Sequence, residues 1–137
     1  MSAVAPGRQP RVLVVEDEGQ VRSLLCELLA VWGCQADPAR SGAEGLSRFQ
    51  SGRYDLVLTD FAMPGMSGVE LVERLRQHDR DVGIIMVTGT MADLEPDGRR
   101  LGFRLLRKPL QIDGLRAAVE QALSRPAAPP GDPQAGR

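Results

Sequence analysis

Two cysteines, one histidine and a net charge of -1 are what this 137-residue chain has least of, and each shortage removes a class of function. Cys26 and Cys34 form neither a disulfide framework nor a metal-ligand spacing. Both are expected as buried or half-buried thiols in a reducing compartment. The single histidine, His78, closes an amphipathic stretch in a polar setting, as an exposed helix-end residue does. Seventeen basic against eighteen acidic side chains give no support for a binder of nucleic acid or membrane surfaces. The local basic cluster of Arg99, Arg100, Arg104, Arg107 and Lys108 reads as a solvated face. No apolar run approaches the ~20 residues of a membrane span, and the N-terminus lacks a signal-peptide core, so a cytoplasmic location is expected. Fifteen glycines include neither GxGxxG nor the P-loop pattern, which removes dinucleotide-binding and P-loop readings.

What is present fits one globular domain: 42% apolar and 26% charged residues over a length that can bury a core unaided. Residues 1–10 are small and polar with two prolines, and read as a flexible leader. Residues 125–137 hold four of the ten prolines and read as a disordered tail or linker. The domain is expected over 11–124, with no output domain after it.

Within that span short apolar runs alternate with amphipathic stretches. "RVLVV" is a buried strand by its uninterrupted β-branched pattern, and "EGQVRSLLCELLAVWG" follows as a helix. Its expected core stripe is Val21, Leu24, Leu25, Leu28 and Trp32, with Gly33 as its stop. "CQADPA" is a weak second strand. "SGAEGLSRFQSG" opens on a capping box, Ser41 with Glu44. "DLVLT" is a third strand, and "SGVELVERLRQHD" a helix capped by Ser67. "VGIIMVT" and "RLLRK" are strands four and five, and "QIDGLRAAVEQALS" is the closing helix. Between the last two strands, Pro96 and Gly98 interrupt "MADLEPDGRRLGF", so any fourth helix should be short or irregular.

Five strand–helix alternations predict an α/β fold with a parallel sheet and right-handed crossovers. Ligands of such sheets sit beyond the carboxyl ends of the strands. That rule gathers Glu16 and Asp17 after strand one, Asp60 after strand three, Thr88 after strand four and Lys108 after strand five. Two carboxylates ~4 Å apart repel by ~4 kcal/mol at an effective dielectric of ~20. One acid must therefore stay protonated or a cation must be present. Oxygen ligands without imidazole or thiolate favour Mg²⁺ before Ca²⁺. A divalent cation, an ammonium and a hydroxyl around one carboxylate make a phosphoryl site, with that carboxylate as nucleophile. Asp60 is the best candidate, because it leads into the glycine-bearing loop "DFAMPGMSG". Glu18 reads instead as a helix N-terminal charge.

The ordered segments "VLVVEDE", "DLVLTDFAMPGMSGVEL", "IIMVTG" and "LLRKPL" resemble receiver (response-regulator) domains of two-component signalling over nearly all of 11–124. The resemblance implies a five-stranded, doubly wound flavodoxin-like sandwich of strand order 2-1-3-4-5. It implies that Asp60 is phosphorylated by a sensor histidine kinase or histidine phosphotransfer protein, with Mg²⁺ as cofactor. Glu16 and Asp17 match the acidic pair that serves the metal, Asp17 directly and Glu16 through water, and Ala62 the position whose backbone carbonyl ligates it. Thr88 matches the switch hydroxyl and Lys108 the phosphate-pairing lysine. Pro109 matches the family's cis Lys–Pro bond, although sequence alone favours trans. The implied output surface is the face of the fourth helix, fifth strand and fifth helix.

Departures accompany the match. Leu105 stands where the family places its switch aromatic, and Phe103, two residues earlier, is a candidate substitute. By the resemblance, Ala62 and Thr90 sit at positions that tune phosphoryl lifetime in the family. The motif set looks most like receivers attached to hybrid sensor kinases, with a free-standing regulator as the alternative. Two competing readings are a receiver fold that binds partners without phosphorylation, and a Mg²⁺-dependent phosphatase. The second requires an acid two residues past Asp60, where Ala62 stands.

Overall fold

The structure is a computed structural model that describes residues 8–124; the tail and the first seven residues lie outside the described part. Strands β1 (Arg11–Val15), β2 (Gln35–Ala39), β3 (Leu56–Asp60), β4 (Gly83–Thr88) and β5 (Arg104–Arg107) alternate with helices α1 (Gly19–Val31), α2 (Gly42–Ser51), α3 (Gly68–His78), α4 (Glu95–Leu101) and α5 (Ile112–Ser124). The strands form one parallel sheet in the order β2-β1-β3-β4-β5.

Side chains alternate across the sheet, so each central strand feeds two cores. Val12, Val14, Leu58 and Ile85 pack beneath Leu25 and Leu29 of α1 and Leu115 and Val119 of α5. Leu13, Val57 and Met86 face the opposite layer, where Phe49 of α2 and Leu71 and Leu75 of α3 cover them. Uninterrupted apolar runs in β1, β3 and β4 follow from this two-sided burial. β2 lies at the edge and is half exposed, which is why Pro38 is tolerated inside it. Among the described residues no helix is long and apolar enough to cross a membrane.

Local signals hold with adjustments. Ser67 caps α3 by accepting the Glu70 N–H at 3.2 Å. Ser41 accepts the Glu44 N–H at 3.1 Å, but Glu44 reaches back to the Arg40 N–H at 2.6 Å instead of that of Ser41. The expected α1 stripe holds at Leu25, which is buried, and at Val21, Leu28 and Trp32, which pack half-buried against the same core; it is corrected at Leu24, 54% exposed, while Leu29 joins the core. With 100° per residue, adjacent leucines give several near-equivalent stripes, and packing against the sheet selects among them. Cys34 is buried and Cys26 half-buried, both are free, and burial pushes both thiols up.

Helix α4 has seven residues, no side-chain cap and no buried side chain, as Pro96 and Gly98 led one to expect. It ends at Gly102, whose φ of 80° only glycine adopts cheaply. Arg76 of α3 holds this end, donating to the carbonyls of Leu101 at 2.7 Å and Gly102 at 3.1 Å, and also to Val82 at 2.8 Å.

Candidate functional site

The carboxyl edge of the sheet brings the acidic residues together. Carboxylate oxygens of Glu16, Asp17 and Asp60 lie within 4.8 Å of one another. Glu16 is 3% and Asp60 7% exposed, whereas Asp17 faces solvent. Glu16 is anchored by the Glu18 N–H, which donates to its Oε2 at 3.1 Å. Glu18 itself turns away to cap α1, accepting the Gln20 N–H at 3.0 Å.

Burial dominates the electrostatics. It pushes Glu16 up to about 6, with the Asp60 charge adding to the rise and the Glu18 N–H and Lys108 working against it. Asp60 also lies above its ordinary range, first through burial and further through Asp17. Lys108 and the Phe61 N–H pull it down: the ammonium Nζ is 3.4 Å from Asp60 Oδ1, and the N–H donates to that oxygen at 3.0 Å. Three carboxylates and one ammonium leave an excess of negative charge, and the donor set is oxygen only. Those features fit a hard divalent cation.

Thr88, 1% exposed, ends β4; its hydroxyl oxygen accepts the Thr90 N–H at 3.0 Å, which leaves the hydroxyl proton for another acceptor. The Lys108 N–H donates to the Thr88 carbonyl at 2.8 Å, and the Lys108–Pro109 bond is cis, as the resemblance implied. The Lys108 side chain is 39% exposed, so the ammonium is accessible to a ligand. Ala62 is exposed two residues past Asp60, and its carbonyl accepts no hydrogen bond among the described residues.

Arg22 carries no sequence signal of its own, and Gly68 shows in the sequence only as a glycine of the loop after Asp60. Arg22, one turn into α1, donates to the carbonyls of Glu16 at 2.9 Å and Asp17 at 3.4 Å and so fixes the acidic loop. Gly68 opens α3 against the loop after Asp60, with its N–H donating to the Phe61 carbonyl at 2.8 Å. A Cβ there would lie 2.5 Å from the Asp60 carbonyl oxygen. Gly68→Ala is therefore expected to cost about 1–3 kcal/mol in urea unfolding and to slow chemistry at Asp60, because backbone cannot rotate aside as a side chain does. An unchanged unfolding midpoint would show that the loop accommodates the methyl group freely.

Phe103 is corrected as a substitute for the switch aromatic. It precedes β5, is 7% exposed and packs on Gly98 of α4. Thr88 pairs with Arg107, four residues further on and thus about 13 Å along the sheet. Leu105 pairs with Met86 and is half-buried against the same core. His78 is exposed and shares a hydrogen bond with Gln50 at 3.0 Å, far from this chemistry in role.

A doubly wound parallel sheet with acids, a hydroxyl and an ammonium converging at its carboxyl edge defines a phosphoacceptor signalling fold. The model of the response regulator receiver domain matches residues 12–120, and the chain belongs to that family. It is 33% identical over 115 residues to sporulation initiation phosphotransferase F of Bacillus subtilis, covering 82% of this chain and 93% of that protein. It is also 33% identical over 115 residues to the response regulator receiver protein CpdR of Brucella abortus, covering 82% and 96%. Among solved structures, the response regulator protein TrrA of Thermotoga maritima in complex with Mg²⁺-BeF superimposes with a TM-score of 0.77 at 35% identity, covering 84% of this chain and all of that one.

Proposed function

We propose that Asp60 is the phosphoacceptor of this receiver domain, and that the chain catalyses its own phosphorylation and dephosphorylation. The observation that carries this reading is the pairing at Asp60. Of three crowded carboxylates, it is the one that Lys108 reaches, at 3.4 Å. An Asp60 oxygen attacks the phosphorus of a phosphohistidine, the phosphorus–nitrogen bond breaks, and the imidazole leaves with the electron pair. The product is an acyl phosphate carrying a charge of about -1.5 to -2. Lys108 pairs with one phosphoryl oxygen and Thr88 donates its hydroxyl proton to another. Glu16, Asp17, Asp60 and the Ala62 carbonyl would hold Mg²⁺, which when bound neutralises charge on the transferring group. Both acids being held above their ordinary range supports a site built for a cation.

The donor is a phosphohistidine of a sensor histidine kinase or histidine phosphotransfer protein, in the cytoplasm. The switched surface is the face of α4, β5 and α5. A receiver attached to a hybrid sensor kinase and a free-standing regulator both fit this chemistry. Leu105 in place of an aromatic favours a second reading, in which partners bind regardless of phosphorylation. Incubation with Mg²⁺ and a small acyl phosphate is expected to add the mass of one phosphoryl group, with none added when EDTA replaces Mg²⁺. A chain that gains no mass under these conditions would support the second reading.

A further inference from the structure

The five clustered cations of the sequence do not form one face in space. Lys108 turns to Asp60, Arg107 donates to the Thr90 carbonyl at 3.3 Å, and Arg100 pairs with Glu73 and Asp97 at 3.1 Å each. Arg99 and Arg104 lie at the other end of the sheet, where Arg80 of the α3–β4 loop joins them in lining a groove.

That groove follows from strand lengths. The β4–β5 ladder starts at Ile85 with Arg104, so Gly83 and Ile84 of β4 extend beyond β5 without a partner from it. Gly83, Gly98 and Gly102 add no side chains to its walls, and its volume is about 950 Å³. Half-buried Leu101 and Ala122 give it a small apolar floor, laid over the buried Val82, Ile84, Phe103 and Ala118.

Its charges are uneven. Glu73 is taken up by Arg100, and the Arg76 guanidinium is engaged with backbone carbonyls. Arg104 donates to the neutral Gln121 side chain, and neither Arg80 nor Arg99 forms an ion pair among the described residues. Three guanidiniums thus face one carboxylate, Asp81, which also forms no ion pair among the described residues.

We propose that this groove, formed by the amino ends of β4 and β5 with the carboxyl ends of α3, α4 and α5, binds an acidic peptide segment of a partner protein. The segment places apolar side chains on the floor and carboxylates on Arg80, Arg99 and Arg104. Bidentate carboxylate recognition suits guanidinium rims of this kind. A nucleic acid fits less well. Among the described residues the only aromatic ring in the groove is that of Phe103, 7% exposed and so no stacking platform, and the chain as a whole carries no basic excess. The groove lies at the end of the sheet opposite Asp60, so this inference does not depend on the phosphoacceptor reading.

The test is a titration of the full chain with a fluorescein-labelled dodecapeptide of aspartate and glutamate carrying two spaced leucines. Anisotropy gives the affinity, and amide resonances of Gly83, Gly98 and Gly102 give the place. Saturable binding that shifts those three glycines is expected, weakened about ten-fold or more in Arg80→Glu/Arg99→Glu and lost for the amidated Asn/Gln peptide. The double variant should still take up a phosphoryl group from acyl phosphate, which separates the two sites. If the double variant does not fold, Arg99→Gln on the exposed face of α4 carries the same comparison. Unchanged affinity in the variant, shifts confined to other amides, or a single-stranded oligonucleotide binding those glycines as tightly as the peptide would each overturn the proposal.

Discussion

Asp60→Asn is expected to abolish phosphoryl uptake and, in the absence of Mg²⁺, to raise the midpoint of urea unfolding at pH 7. The first effect follows because an amide oxygen cannot act as the nucleophile that a carboxylate is. The second follows from the sign of the Asp60 environment. Its pKa is raised, burial being the largest cause, so folding penalises the charged form relative to the unfolded chain despite Lys108 at 3.4 Å. Asparagine keeps the shape and the acceptor for the Phe61 N–H, which now reaches Asp60 Oδ1 at 3.0 Å. It removes one of three crowded charges, and Lys108 is 39% exposed, so the ammonium can return to water. A gain of about 1 kcal/mol is expected, the usual direction when a residue placed for chemistry is made inert. A lower midpoint would mean that the Lys108 pair outweighs desolvation and that Asp60 is a structural ion-pair member.

The second large effect couples pH to Mg²⁺ through Glu16. Folding raises Glu16 from 4.5 to about 6, burial leading, with Asp60 adding and the Glu18 N–H and Lys108 opposing. A carboxyl with a raised folded pKa contributes stability that is fully present below 4.5 and is lost as pH rises through about 6. At 1.36 kcal/mol per unit the loss is about 2 kcal/mol. In EDTA, stability should therefore fall between pH 4.5 and 7. Magnesium ion bound only by the folded chain is expected to restore about 2.7 kcal/mol at a hundred times its dissociation constant. That gain should be present at pH 7.5 and small at pH 5, where a proton on Glu16 competes with the metal. Glu16→Gln should flatten the pH dependence in EDTA and shrink the Mg²⁺ gain. Equal Mg²⁺ gains at both pH values in urea titrations would place the cation elsewhere.

Much of this was legible before folding was considered. The strands β1, β3 and β4 announce themselves as apolar runs, and each ends on or beside a residue of the candidate site: Glu16, Asp60 and Thr88. Helix caps at Ser41 and Ser67 are local hydrogen bonds, so spacing alone reveals them. The weak spots were equally local: Pro96 and Gly98 forecast a short α4, and it has seven residues. Failures came where distant segments decide. Leu24 and Leu29 exchange places in the core because the face on which α1 rests against the sheet, not the apolar periodicity alone, selects the buried stripe. Phe103 shares the parity of Leu105, yet β5 starts one residue too late and leaves its ring under α4. Arg22 and Gly68 act on backbone atoms of other segments, and no spacing rule encodes such contacts.

By itself the sequence determined the parallel α/β class and the edge at which its acids gather. Strand polarity and side-chain alternation are properties of a chain segment, and the crossover rule carries them to the whole sheet. Tertiary structure alone decided which charges meet. It packed three carboxylates within 4.8 Å, gave Lys108 to Asp60, and sent Arg99 and Arg104 to the opposite end of the sheet. Coulomb energy depends on distance and burial, and residues as far apart in sequence as Glu16 and Lys108 acquire both only when the sheet closes around them.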